Sequence, residues 1–136
     1  MTGHEEAAGR TVFIVDDDDA ILGALKFSLE IEGYAVRASP DGRELMAMPD
    51  LPGRGCLVVD YNMPGTNGLE LLAALRGRGW LLPAILMTSN PSPELRERVI
   101  TAGAVLVEKP LLGNTLIAAI DATLGLRSPE DRPQRS

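Results

Sequence analysis

The 136-residue chain has one cysteine, Cys56, which excludes an internal disulfide and a thiolate metal cluster. That thiol lies in the apolar run "CLVVD", where a buried, inert sulfur is expected. Positive charge is also short, with 13 Lys and Arg against 19 Asp and Glu and a net charge of −6. Broad nucleic-acid binding needs a basic face, so no direct nucleic-acid partner is expected. The acidic balance suits cations and basic partner patches instead. Long apolar runs are absent too: "WLLPAILM" falls far short of the roughly 20 residues a membrane helix needs. The opening "MTGHEEAAGR" lacks the apolar centre of a signal peptide, so a cytoplasmic protein with no membrane partner is the expectation. No internal repeat and no glycine-rich phosphate loop of the "GxGxxG" or "GxxxxGK" kind is found.

What is present has a clear order. Hydrophobic residues make up 45% and charged residues 24%, a globular balance, and 14 Gly with 10 Pro imply many short connections. Residues 1–9 and 127–136 are polar and aperiodic and are expected to be tails around a single domain at 10–126. Within that domain, short apolar runs at 11–15, 34–38, 56–60, 84–88 and 104–108 read as strands. Segments with helical spacing separate them: Ile21, Leu22, Leu25 and Leu29, closed by Gly33; "PDGRELMAM"; Leu69, Leu72 and Leu75; "PELRERVITAG"; and Leu116, Ile117, Ile120 and Leu124. Five such units predict an α/β fold with a parallel sheet covered on both faces. In such folds ligands bind beyond the carboxyl ends of the strands, at a topological switch point.

Those ends carry the chemistry. The first strand runs into four consecutive aspartates, Asp16 to Asp19, although two unit charges about 4 Å apart repel by roughly 4 kcal/mol near a protein surface. The third strand ends in Asp60, the fourth in Thr88 and Ser89, and the fifth in Lys109. Clustered carboxylates with spare coordination positions suit a hard divalent cation, above all Mg²⁺. A lysine and a hydroxyl beside them suit a phosphoryl group, whose transfer is mostly positioning and charge neutralisation. Asp18 and Asp19 are expected to start the first helix, where caps and the helix dipole favour acids.

The motifs "FIVDDD", "VVDYNMPGTNGLELL", "AILMTS" and "GAVLVEKP" stand in the order and spacing of a known family. Across about residues 10–126 the chain resembles the receiver domain of bacterial two-component response regulators, of the single-domain chemotaxis type. The resemblance implies a doubly wound, flavodoxin-like sheet in the order 2-1-3-4-5. It also implies that Asp60 accepts a phosphoryl group from a sensor histidine kinase or phosphotransfer protein. Asp17 and Asp60 would then ligate Mg²⁺ (or Mn²⁺), Asp16 would act mainly through water, and the backbone carbonyl of Asn62 would be a further ligand. Thr88 would hydrogen-bond the phosphoryl group and Lys109 would pair with its oxygens. Pro110 would follow Lys109 through a cis peptide bond, and Asn62 and Asn90 would adjust phosphoryl lifetime. Output would pass to a downstream protein, or a second copy of the chain, through the face of the fourth helix, fifth strand and fifth helix.

The chain departs from that family in its fifth strand. Receivers usually carry an aromatic residue a few positions before the lysine; here Leu106 stands nearest, and the segment from Gly103 to Lys109 is one residue shorter than usual. Phosphoryl chemistry is therefore expected to be intact and the usual readout altered. The fourth helix has Leu95, Val99 and Ile100 as its large apolar anchors, against Glu94, Arg96, Glu97 and Arg98. Such a lightly anchored element suits either a mobile output face or an ordinary surface helix. Two other readings remain. The chain is a receiver cut from a larger regulator or hybrid kinase, or it is a Mg²⁺-dependent phosphohydrolase working through an aspartyl phosphate. Such hydrolases typically carry a second acid two residues after the nucleophile, where this chain has Asn62.

Overall fold

The structure is a computed structural model, described for residues 11–48, 54–109 and 115–125. Its elements alternate as β1 (Thr11–Val15), α1 (Asp19–Ile31), β2 (Ala35–Ser39), α2 (Arg43–Ala47), β3 (Cys56–Asp60), α3 (Gly68–Gly77), β4 (Ala84–Thr88), α4 (Pro93–Thr101), β5 (Val105–Glu108) and α5 (Thr115–Thr123). All strand pairs are parallel, and the sheet order is β2-β1-β3-β4-β5. The expected tails, and Pro110 with its expected cis bond, lie outside the described residues.

The period of two along each strand divides the core. Phe13, Val15, Leu57, Val59 and Leu86 face one side and pack with Leu45 of α2, the leucines of α3, and Leu95 and Val99 of α4. Val12, Ile14, Val58, Ile85, Met87 and Val107 face the other, against Leu22 and Leu29 of α1 and Leu116 and Ile120 of α5. The three inner strands are buried at every residue, as strands covered on both faces must be. Cys56 is fully buried, and burial pushes its thiol up to about 12, so it is a core residue.

Three sequence expectations shift. β2 covers 35–39 rather than 34–38, because Tyr34 is buried ahead of the strand and its hydroxyl hydrogen-bonds Asp121 of α5. β5 begins at Val105 rather than at residue 104. Ile100 is not an anchor of α4: it is 73% exposed, so Leu95 and Val99 alone hold that helix to the core. At 3.6 residues per turn Ile100 points about 100° away from Val99, off the stripe that Leu95 and Val99 form.

The turns that aim the strand ends are locally encoded. α1 closes at Gly33, whose φ of 100° is open to glycine at little cost. α3 opens with a capping box between Asn67 and Glu70. Gly68 lets that helix start approach β3: a Cβ there would lie 2.7 Å from the Asp60 carbonyl oxygen and 2.7 Å from a Leu86 methyl.

Candidate functional site

The four aspartates after β1 divide by geometry. Asp18 caps α1, its Oδ1 accepting the N–H groups of Ala20 at 2.9 Å and Ile21 at 3.1 Å, and Asp19 is the first helical residue. Asp16 turns inward and is fully buried; its Oδ1 accepts the N–H of Asp18 at 2.9 Å and its Oδ2 accepts Lys109 Nζ at 3.2 Å. Asp17 stays exposed. Asp18 and Asp19 begin the helix as expected.

Asp60 is the last residue of β3 and only 3% exposed. Its Oδ1 accepts the backbone N–H of Asn62 at 3.2 Å and lies 3.3 Å from Lys109 Nζ. Carboxylate oxygens of Asp16, Asp17 and Asp60 all lie within 4.8 Å of one another. Thr88 ends β4 and is buried, and its carbonyl accepts the Lys109 N–H at 2.8 Å, which fixes where the lysine leaves β5. One ammonium thus bridges the two buried acids.

The electrostatics follow from that packing. Burial, then the like charge of Asp16, raises Asp60 above the ordinary carboxylate range, while Lys109 and the Asn62 N–H pull it back down. Burial alone would lower Lys109, but Asp16 and then Asp60 outweigh it and hold the ammonium above its usual value. The lysine therefore stays charged at neutral pH and offsets part of the acid repulsion. Three convergent carboxylates with one exposed edge at Asp17 fit a hard cation that keeps water or phosphate oxygens among its ligands. A cleft of about 580 Å³ opens beside them, with Asp17 at its rim and Met63, Pro64 and Leu71 among its walls.

The remaining predicted residues scatter. Asn62 joins the site, and its side chain makes a contact the sequence reading missed: Nδ2 donates to Thr88 Oγ1 at 3.4 Å. Nothing in spacing alone signals that bond between a loop and the end of β4. Asn90 is exposed two residues after Thr88, and its φ of 46° is the only positive value at a non-glycine among the described residues. Leu106 lies away from the acids, partly buried against the α2–α3–α4 side of the core.

The 2-1-3-4-5 sheet agrees with the comparisons. The family model of the response regulator receiver domain matches residues 12–121. The chain belongs to the response regulator receiver domain family. It is 36% identical over 124 residues to the transcriptional regulatory protein FixJ of Azorhizobium caulinodans, covering 90% of this chain and 59% of FixJ. It is also 36% identical over 121 residues to the response regulator MprA of Mycobacterium tuberculosis, covering 88% of this chain and 53% of MprA. The receiver thus spans little more than half the length of those relatives. Among solved structures, the chemotaxis protein CheY4 of Vibrio cholerae superposes with a TM-score of 0.77 at 29% identity, over 85% of this chain and 98% of that one. The FixJ-N crystal structure gives 0.76 at 31% identity, over 88% and 96%. The receiver domain family is a signalling family of two-component systems. No helix among the described residues is long and apolar enough to cross a membrane.

Proposed function

We propose that Asp60 is the phosphoacceptor of this receiver and that residues 10–126 form the working domain. A phosphohistidine on a sensor kinase or phosphotransfer protein is the donor, met in the cytoplasm. A carboxylate oxygen of Asp60 attacks the phosphorus; the P–N bond breaks, its electron pair leaves with the imidazole, and an acyl phosphate forms. Asp16, Asp17, Asp60 and the Asn62 carbonyl would hold Mg²⁺ or Mn²⁺. The bound cation supplies positive charge to the phosphoryl oxygens. Lys109 adds its ammonium from the β5 side, and the Thr88 hydroxyl donates to a phosphoryl oxygen. Loss of the phosphoryl group to water is self-catalysed. The altered surface, in which Leu106 stands where an aromatic is usual, engages a downstream protein or a second copy through the α4–β5–α5 face.

The observation that carries this reading is the buried Asp60 carboxylate, 3.3 Å from Lys109 Nζ and within 4.8 Å of two further acids. Its test is labelling with acetyl phosphate in Mg²⁺, followed by mass spectrometry. Asp60→Asn should abolish the covalent adduct. An adduct that persists in that variant would overturn the assignment.

A further inference from the structure

The Thr88 hydroxyl sits at the buried end of β4, 2% exposed, so protein groups rather than bulk water decide where its hydrogen points. Two such groups are in reach: Asn62 Nδ2 at 3.4 Å and the Ser89 carbonyl oxygen at 3.4 Å. A hydroxyl has one hydrogen to give and two lone pairs to receive with. It gives the hydrogen to Ser89, so the atom facing it from Asn62 must be a donor, which assigns the amide nitrogen to that side. Both contacts are long for hydrogen bonds, and the hydroxyl hydrogen is easily won by a better acceptor. Asn62 is meanwhile tied to the other partner of the reaction, since its backbone N–H donates to Asp60 Oδ1 at 3.2 Å. One residue thus touches Asp60 through its backbone and Thr88 through its side chain.

We propose that Asn62 is a positioning residue for Thr88. Its amide occupies one lone pair of the hydroxyl and so turns the hydrogen toward the phosphoryl group on Asp60. When that group arrives, the hydroxyl exchanges the Ser89 carbonyl for an anionic oxygen, a stronger acceptor, and keeps the Asn62 contact. The same link carries the arrival of the phosphoryl group from β4 into the β3–α3 loop. This role rests on Asp60 as the acceptor.

A mutant cycle reads it out, with Mg²⁺ alone and with Mg²⁺ plus trifluoroberyllate as the phosphoryl mimic, both followed by calorimetric titration. Asn62→Ala should weaken trifluoroberyllate binding by about two- to tenfold, the span of one net hydrogen bond. Unchanged circular dichroism and cooperative urea unfolding report that this variant has folded. In a Thr88→Val background the Asn62→Ala loss should vanish, and in Thr88→Ser, which keeps the hydroxyl, it should return. A loss that persists undiminished beside Thr88→Val, or that Mg²⁺ alone reproduces, would overturn the positioning role. A wild-type protein that binds Mg²⁺ but no trifluoroberyllate would overturn the phosphoacceptor reading, and this role with it.

Discussion

The acid crevice and the β5 edge of the sheet meet between Lys109 and Glu108, and burial divides them. On the crevice side Asp16, Asp60 and Thr88 are all at most 3% exposed, and Lys109 bridges the two acids at 3.2 and 3.3 Å. On the edge side Glu108 pairs with Arg96 of α4, with side chains 52% and 49% exposed. Val105 and Ile100 stand in solvent, and Leu106 is only partly covered. Charges packed in low dielectric act strongly and tolerate little displacement. Exposed pairs are screened and contribute little. Asp16, Asp60 and Thr88 are held by the interior in one geometry. The departure from the family, Leu106, falls where the surface imposes no such demand. If Asp60 is the phosphoacceptor, the crevice and the β5 edge can then be altered one at a time.

The largest test of that division lies within the aspartate run. Asp17→Ala should weaken Mg²⁺ affinity by about 100-fold or more, since even partners behind the ligands are worth roughly 10- to 100-fold. Asp19→Ala, at the first residue of α1, should leave it nearly unchanged. Titration of both variants by calorimetry checks this, and equal losses would erase the boundary between site acids and helix-starting acids. Saturating Mg²⁺ should also raise the melting temperature of the wild-type protein and not that of Asp17→Ala, because the ion binds the folded state.

A smaller effect is expected at the edge. Leu106→Ala should cost about 2 kcal/mol in urea unfolding, the low end for leucine truncation because the side chain is only partly covered. Its initial rate of acetyl phosphate labelling should stay within about twofold of wild type if the crevice is independent of that position. A labelling rate that collapses with Leu106 would join the two regions, and would show that strand five still reports on the acids without an aromatic.

Much of this was legible in the chain because burial on both faces writes itself into sequence. "TVFIV", "CLVVD" and "AILMT" are continuous apolar runs, and the residues that end them fall on the site by topology alone. Asp18 was legible as a cap because an acid one residue before a helical stripe has few other uses. β2 and β5 were harder. They are the outer strands of the sheet, with mixed burial, and their limits slipped by one residue at one or both ends. Ile100 deceived because it was counted as an anchor by residue type, although it points about 100° away from Val99 around the helix. The Asn62–Thr88 bond joins residues 26 apart, one in a loop and one at the end of β4, and no local pattern encodes it.

The smallest expected effect is the most pointed one. Arg96 and Glu108 form the polar tie between α4 and β5, a helix that otherwise buries only Leu95 and Val99. An exposed pair of this kind contributes on the order of 0.5 kcal/mol, falling with salt as the charges are screened. Arg96→Ala should therefore shift urea stability by no more than about that amount, and the shift should shrink between low and high ionic strength. Paired with Glu108→Gln in a double-mutant cycle, the coupling should be of similar size. Measured again in Mg²⁺ and trifluoroberyllate, the coupling tests whether the edge senses the crevice. A value unchanged by the mimic means that α4 and β5 keep their tie when Asp60 is occupied, and the two regions stay separate. A value that vanishes means that Lys109, one residue from Glu108 and drawn to the phosphoryl oxygens, pulls the pair apart, and the readout then runs through charge where other receivers use an aromatic ring.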